Sequence, residues 1–218
     1  MDGFIFDFNG TMFYDGKLQE RAWRSFLEQK IGRPVTDGEF HQYIHGINAD
    51  VTFAYFLGKK LSRNQVMELE EEKEIIYRRL CLESPDFHLA DGLAEFLDEA
   101  ADRGISMTIA TASSCNNVRF FFEHLPLDRW FSFEKVVYND GKIAGKPNPD
   151  LFSKAAERIG TDTRKCAIFE DSKSGIEAAR RACAGRIVGV ASMLEEQVLY
   201  DLGASVVIKD YRNWKNLF

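Results

Sequence analysis

The chain has 218 residues, 45% of them hydrophobic, so it is long enough for a packed core with a sizeable insertion. A formal net charge of −6 argues against a broad basic surface for nucleic acid or anionic lipid. The spacing of the four cysteines fits neither a zinc site nor a redox motif. No apolar run approaches the ~20 residues of a membrane span. The first predicted strand begins so early that we expect no signal sequence before it. We therefore expect a cytoplasmic protein with buried thiols and no membrane or nucleic-acid partner.

The first predicted element is a buried strand that ends in a tight turn. Residues 4–6 are all Phe or Ile, and the stretch Asp7-Phe8-Asn9-Gly10-Thr11 follows them at once. In an open parallel sheet a ligand lies just beyond the carboxyl ends of the strands, which is where Asp7 falls. We interpret Asp7 as a nucleophile that accepts a phosphoryl group, with backbone N–H groups of the turn directed at the phosphate oxygens. Asn-Gly after a strand is also ordinary turn chemistry, so this stretch needs support from elsewhere in the chain.

Residues 17–82 carry helical periodicity and almost nothing that is typical of a strand. One helix is predicted before Gly32, one from Thr36, one over 51–57 and a long one over 63–82. The acidic run from Glu68 to Glu74 is typical of a solvated helix face. We predict a helical cap domain over 16–85 and a core domain formed by 1–15 and 86–218, with hinges near residues 12–16 and 83–91.

Strands and helices alternate from residue 91 onwards. Strands are predicted over 105–111, 133–138, 166–169, 186–190 and 205–208, with helices between most of them. This alternation indicates an α/β fold with a Rossmann-like parallel sheet, interrupted by the helical cap. Because the carboxyl ends of parallel strands share one edge of the sheet, polar residues that follow the strands should meet there.

Two further polar stretches at predicted strand ends are suited to bind phosphate. Thr111-Ala112-Ser113-Ser114 offers hydroxyls beside a helix start, although Ser113 or Ser114 also makes a good helix cap. Lys146 is followed by Pro147, which favours an extended backbone and fixes the lysine at the mouth of the sheet. A lysine there would neutralise a phosphate or an aspartyl-phosphate.

Two adjacent carboxylates, Glu170 and Asp171, follow another apolar strand. Like charges that are buried together repel, so the pair calls for a cation, and hard oxygen ligands suit Mg²⁺. The alternative is that Asp171 or Ser172 only caps the next helix. The four stretches together are much more specific than any one of them.

The order Asp7, Thr111, Lys146 and Glu170-Asp171, each at a strand end, resembles the four motifs of the haloacid dehalogenase (HAD) superfamily. A helical insertion directly after the first motif is similar to its subfamily I, with a helical cap of type C1, which holds β-phosphoglucomutases and phosphoglycolate phosphatases. The resemblance spans nearly the whole chain. It implies a HAD core with a helical cap, phosphoryl transfer through an aspartyl-phosphate, and a Mg²⁺ cofactor.

The resemblance also implies a role for each matched residue. The catalytic positions would be Asp7, Asn9 and Lys146. The transferring phosphoryl group would be bound by Phe8, Asn9, Gly10, Thr111, Ala112 and Lys146. The metal would be bound by Asp7, the main-chain carbonyl of Asn9 and Asp171, and Glu170 would hold a metal-bound water or bind the metal directly.

The chain departs from this family at three positions. Phosphatases and mutases of this kind carry an aspartate two residues after the nucleophile as general acid and base, and the amide of Asn9 can do neither job. Loss of such a group typically costs ~10²–10⁴-fold in rate, and the cap residues Asp15 and His45 are candidates to replace it. Gln19 stands where β-phosphoglucomutases have a histidine, and Ala49 where they have a phosphate-binding arginine.

These features predict a Mg²⁺-dependent phosphohydrolase that acts on a small phosphorylated metabolite. Its turnover should be slow if no other residue replaces the missing general acid. The nearest alternative is a sugar-phosphate mutase similar to β-phosphoglucomutase, which the departures in the cap disfavour. A further alternative is a protein that binds phosphate without turnover, which Asn9 alone suggests. Asn9 would also fit a substitution made to trap a complex.

Overall fold

The computed structural model of the chain describes residues 1–44 and 46–218, and the backbone alone at Asn216. These residues form two compact units. The core unit consists of Met1–Tyr14 and His88–Phe218, and the cap unit of Asp15–Phe87.

The described part of the core unit contains a six-stranded sheet in which each strand runs parallel to its neighbours. The strands are β1 Gly3–Phe6, β2 Ser106–Ser114, β3 Val137–Asn139, β4 Cys166–Glu170, β5 Arg186–Val190 and β6 Val206–Ile208. Their order across the sheet is β3-β2-β1-β4-β5-β6, so β1 lies inside the sheet between β2 and β4. The predicted α/β fold with a Rossmann-like parallel sheet is confirmed.

Helices account for most of the remaining chain. Those of the cap unit are α1 Gly16–Ile31, α2 Asp37–Tyr43, α3 Ala49–Leu57 and α4 Arg63–Glu83. Those of the core unit are α5 Leu93–Asp102, α6 Cys115–His124, α7 Asp150–Arg158, α8 Lys173–Arg181 and α9 Glu196–Leu202. In the described ranges, none of these helices is long and apolar enough to cross a membrane.

The alternation of side chains along β1 gives the sheet two different faces. Phe4 and Phe6 point to one face, where Phe6 stacks on Phe169 of β4 with ring centroids 4.5 Å apart and Phe4 stacks on Phe96 of α5 at 5.5 Å. Ile5 points to the other face and belongs to an aliphatic cluster with side chains from α7, α8 and α9. Both faces of β1 are therefore buried, as the unbroken apolar run predicts.

The cap unit has its own apolar core. Its buried members are Phe26, Leu27, Val35, Phe40, Ile44 and Phe53. Two of its helices begin with a complete capping box, Thr36 with Glu39 for α2 and Ser62 with Gln65 for α4. Short helices are only marginally stable on their own, so the capping boxes and the apolar core together stabilise the helices of the cap unit.

A buried polar cluster lies between α1 and α4 of the cap unit. The Asp15 carboxylate accepts hydrogen bonds from the Tyr77 hydroxyl at 2.6 Å and from Gln19 Nε2 at 3.1 Å. Lys73 donates to Gln19 Oε1 at 3.1 Å and also pairs with Glu74. Lys73 is only 4% exposed, so the prediction that this part of α4 is a solvated face is wrong at this position. Its four-carbon stem packs inward, and the partners of its ammonium group offset the burial of the charge.

Two other expectations are corrected. Residues 133–138 are not one strand, because Phe133–Lys135 forms a short 3-10 helix and the strand runs over Val137–Asn139. The thiols are not all buried, since Cys183 is exposed and Cys115 is half-buried. Cys183 has a left-handed backbone with φ of 55° in the turn after α8, which places it at the surface.

Candidate active site

Asp7 directly follows β1 and is the first residue of the site. Its backbone N–H donates to the carbonyl of Phe169 at 3.0 Å, which continues the pairing of β1 with β4 by one residue. Its side chain is buried, and Oδ1 accepts a hydrogen bond from Lys146 Nζ at 2.5 Å. The central strand thus delivers a carboxylate that is already paired with a cation.

The turn after Asp7 is closed by backbone hydrogen bonds. The carbonyl of Phe8 accepts from the N–H groups of Met12 at 2.8 Å and Thr11 at 3.2 Å, and the N–H of Gly10 donates to Phe13 at 2.7 Å. Gly10 has φ of 77°, and a Cβ at this position would lie 2.2 Å from Oδ2 of Asp171. Glycine is therefore required by the backbone conformation and by the approach of Asp171.

Lys146 lies between two carboxylates. Its ammonium group contacts Glu170 Oε1 as well as Asp7, and it stands 5.1 Å from the centre of the Phe152 ring. Burial opposes the charge of Lys146, but attraction to Asp7 and Glu170 outweighs it and raises the pKa above its usual value. The lysine is therefore a fixed positive charge beside Asp7.

Glu170 is the most enclosed acid of the site. Its Oε1 contacts Lys146, and its Oε2 accepts from the backbone N–H of Ser172 at 2.8 Å and from the Ser172 hydroxyl at 3.0 Å. Its side chain packs directly on Gly175 in the first turn of α8, where a Cβ would lie 1.8 Å from Oε1. Both oxygens of Glu170 are thus held by partners of the core unit.

Asp171 points towards the turn that follows Asp7. Its Oδ1 accepts from the hydroxyl of Thr11 at 3.2 Å. Burial is the main cause that raises the pKa of Asp171 well above its usual value, and repulsion from Glu170 and Asp7 adds to it. A cation next to Asp171 would relieve that repulsion.

Three carboxylates of the site lie close enough together to share a metal ion. One oxygen each of Asp7, Glu170 and Asp171 lies within 4.8 Å of the others. Three acids with one lysine leave an excess of negative charge, and carboxylate oxygens are the ligands that Mg²⁺ prefers. The donor set therefore fits a hard divalent cation.

Thr111 and Ser113 lie on β2, the neighbour of β1. The buried Thr111 hydroxyl accepts from the backbone N–H of Ser113 at 3.1 Å, and the Ser113 hydroxyl donates to Oδ1 of Asn9 at 2.7 Å. Ala112 between them is exposed. Ser114 caps α6, accepting from the N–H of Asn117 at 3.5 Å, so the capping interpretation is confirmed for Ser114 but not for Ser113.

Asp171 and Ser172 are the two candidates to cap the helix that follows Glu170, and the structure shows one of them in that role. Ser172, not Asp171, caps α8 by accepting from the N–H of Gly175 at 3.0 Å. The predicted meeting of polar residues at the carboxyl edge of the sheet is therefore seen for Asp7, Lys146, Glu170 and Asp171, which make side-chain contacts or lie within 4.8 Å of one another.

Of the two cap candidates for the missing acid, the structure describes Asp15 alone. The Asp15 carboxylate is buried inside the cap unit, where it accepts from Tyr77 and Gln19. His45 lies outside the described residues. Gln19 uses its amide oxygen and nitrogen within the cap unit, for Lys73 and Asp15 respectively.

Three contributors to the site were missed from the sequence. The sequence around Ser113 indicates a helix cap or a phosphate ligand, and nothing in it indicates the contact with Asn9. Gly175 was readable in part, since a glycine one turn into a helix indicates a close approach by another group. Tyr211 carried no signal, although its hydroxyl donates to the carbonyl of Thr11 at 3.3 Å across 200 positions of the chain.

Several known proteins have sequences or folds similar to this chain. A family model described as haloacid dehalogenase-like hydrolase matches residues 1–182. The chain is 28% identical to the phosphorylated carbohydrates phosphatase of Thermotoga maritima, over 96% of this chain and 94% of that protein. It is 26% identical to a β-phosphoglucomutase of Mycobacterium bovis, over 94% of this chain and 88% of that protein.

A solved structure shows the same likeness in three dimensions. It is the HAD hydrolase of family IA, variant 3, from Entamoeba histolytica, with a TM-score of 0.93 and 31% identity. The match covers 98% of this chain and 95% of that chain. With the parallel sheet, the inserted helices and the acidic cluster beside Lys146, these similarities show that the chain belongs to the family of haloacid dehalogenase-like hydrolases.

Proposed function

We propose that the chain is a Mg²⁺-dependent phosphatase that removes a phosphoryl group from a small phosphorylated metabolite through an aspartyl-phosphate on Asp7. The observation that carries the proposal is the contact of Lys146 with both Asp7 and Glu170 at the carboxyl edge of the sheet. The phosphatase relative from Thermotoga maritima, which is named for phosphorylated carbohydrates, supports a small anionic substrate.

The carboxylate of Asp7 would attack phosphorus while Lys146 reduces the repulsion between two anions. As charge spreads over the phosphoryl oxygens, Lys146 and the Thr111 hydroxyl would stabilise it. Glu170 would orient Lys146, because its other oxygen is anchored on Ser172 at the start of α8. These groups are held in place before the substrate arrives, which lowers the cost of reorganisation during the reaction.

The metal would be held by Asp7, the carbonyl of Asn9 and Asp171, with Glu170 acting directly or through water. When bound, Mg²⁺ supplies charge neutralisation and orientation of the phosphoryl group. This role is supported by the contact of Asp171 with the Thr11 hydroxyl, since the carbonyl of Thr11 in turn accepts a hydrogen bond from Tyr211. The amide of Asn9 can donate a hydrogen bond but cannot transfer a proton, so we expect slow turnover of ordinary phosphate esters.

The test is phosphate release from a panel of phosphorylated metabolites with Mg²⁺ or with a chelator. Asp7→Asn should abolish activity, and Asn9→Asp should raise it by ~10²–10⁴-fold. Asp2→Asn is the matched control, because Asp2 is an exposed aspartate at the other end of β1 and pairs with Lys165. Absence of turnover in both the wild type and Asn9→Asp would rule the phosphatase out, and calorimetry with Mg²⁺ and phosphate would then test a protein that only binds phosphate.

The similarity to the Mycobacterium bovis β-phosphoglucomutase favours a sugar-phosphate mutase as the second candidate. A mutase would convert β-glucose 1-phosphate to glucose 6-phosphate when primed with the bisphosphate. Ala49 at the start of α3 has no charge with which to bind a second phosphate. If neither the wild type nor Asn9→Asp forms glucose 6-phosphate, the mutase is excluded.

A further inference from the structure

The amide of Asn9 is tied to β2 by a specific hydrogen bond. The hydroxyl of Ser113 donates to Oδ1 at 2.7 Å, and the backbone of Ser113 is itself bonded to the hydroxyl of Thr111 at 3.1 Å. Asn9 is thus connected to the strand that carries a proposed phosphate ligand.

The chemistry of these groups limits what they can do for a departing oxygen. An amide and an aliphatic hydroxyl donate hydrogen bonds, but neither gives up a proton as the usual general acids do. A leaving oxygen next to Asn9 would therefore depart with its negative charge, because neither Asn9 nor Ser113 can protonate it. This is easy for a weakly basic oxyanion and difficult for an alkoxide.

We propose that the chain is specific for phosphorylated compounds whose leaving group is a weakly basic oxyanion, as in acyl and aryl phosphates, and that Ser113 is a positioning residue for Asn9. This inference rests on the proposed phosphatase function. The relevant acids differ widely, since a carboxylic acid has a pKa of about 4, a phenol about 10, and an alcohol is close to water at about 15.7. Alkyl phosphates would be the poorest substrates.

The two steps balance without an acid on the protein. First, an oxygen of Asp7 bonds to phosphorus, the bond from phosphorus to the leaving oxygen breaks, and that oxygen takes the electron pair and departs as a carboxylate or phenolate. Then water attacks the phosphorus of the aspartyl-phosphate, the Asp7 carboxylate departs, and the proton of the water passes to a phosphoryl oxygen. The products are the free carboxylate of Asp7 and dihydrogen phosphate.

The test measures kcat/KM with Mg²⁺ for acetyl phosphate, a series of substituted phenyl phosphates and an alkyl phosphate. For the wild type, kcat/KM should fall steeply as the pKa of the leaving group rises. For Asn9→Asp the slope should become shallow, because the new carboxyl can protonate the leaving oxygen. The gain from Asn9→Asp should be ~10²–10⁴-fold for the alkyl phosphate and close to onefold for acetyl phosphate.

Serine variants distinguish a role of Ser113 in positioning Asn9 from a role in folding. Ser113→Ala should lower kcat/KM for phenyl phosphates by about threefold to tenfold, the effect of one neutral hydrogen bond, and Ser113→Thr should restore it. Ser62→Ala, which removes the side-chain cap of α4 in the cap unit, should leave kcat/KM unchanged. Mass spectrometry of the peptide that contains Asn9 would exclude activity from deamidated protein.

The possible outcomes are distinct. A steep dependence for the wild type that Asn9→Asp flattens supports the inference. A shallow dependence for the wild type, with alkyl and acyl phosphates turned over alike, overturns it, because another residue must then protonate the leaving oxygen. No turnover of any substrate by either protein overturns the phosphatase proposal itself.

Discussion

Glu170 packs on Gly175, and this contact decides whether the substitution Gly175→Ala stabilises or destabilises the protein. In Gly175→Ala, the added Cβ would lie 1.8 Å from Oε1 and 1.9 Å from Cδ of Glu170. Glu170 is fully buried and cannot turn away without losing contacts to Lys146 or Ser172. The substitution should therefore disturb the site as well as the start of α8.

Two opposing effects set the size of the change in the free energy of unfolding that Gly175→Ala should cause. Alanine is favoured over glycine inside a helix by about 0.5–1 kcal/mol. A hydrogen bond to a charged group contributes about 1.5–3 kcal/mol, and displacement of Glu170 would break about two of them. The net expectation is destabilisation of the core unit by about 2–5 kcal/mol, with a loss of activity because Lys146 loses its second carboxylate.

Urea denaturation of the purified variants measures the effect. Gly38→Ala in α2 is the matched control, since a Cβ there meets nothing within 4 Å. It should be as stable as the wild type or more stable by about 0.5–1 kcal/mol. A Gly175→Ala protein that is as stable as the wild type would refute the packing argument. In a Glu170→Ala background, Gly175→Ala should cease to be destabilising, because its steric partner is gone.

Three further substitutions test other contacts. Tyr77→Phe removes the hydroxyl that donates to a carboxyl oxygen of Asp15 at 2.6 Å, so the free energy of unfolding should fall in urea titrations by about 1.5–3 kcal/mol, the range for a hydrogen bond to an acidic group. Tyr211→Phe removes a 3.3 Å bond to the neutral carbonyl of Thr11, so the fall should be only about 0.5–1.5 kcal/mol, and a larger loss than in Tyr77→Phe would contradict this ranking. Asp171→Asn removes a carboxyl whose pKa is raised above 3.8 by burial and by repulsion from Glu170 and Asp7. The folded state holds that proton more tightly than the unfolded state does, so the stability of the Mg²⁺-free wild type should fall, relative to the variant, as pH rises above 3.8. Thermal melts without Mg²⁺ from about pH 4 to about pH 8 should show this widening gap in Tm, and a constant gap would contradict it.

The parallel sheet and the polar residues that follow its strands could be predicted, because both depend on short local patterns in the sequence. The apolar run of β1 and the turn residues after Asp7 are readable in a window of eight residues. The carboxyl ends of parallel strands share one edge, so Asp7, Lys146 and Glu170 could be brought together without coordinates.

What could not be predicted depends on contacts between distant parts of the chain. Lys73 looked solvated because it lies in an acidic run, yet partners on α1 and its own helix hold it inside the cap unit. The bond between Ser113 and Asn9 joins residues 104 positions apart, and no local pattern distinguishes it from helix capping. The strand predicted over 133–138 begins four residues late, because Phe133–Lys135 forms a 3-10 turn instead.

The backbone of Asp7 has a consequence for how the site responds to denaturing conditions. Its N–H is bonded to Phe169, and β1 is paired on both sides inside the sheet. Hydrogen exchange at this amide therefore requires separation of β1 from β4, an opening as costly as unfolding of the core unit itself. We therefore expect the carboxylate of Asp7, the proposed nucleophile, to stay in place when surface helices or termini fray, until the sheet itself opens.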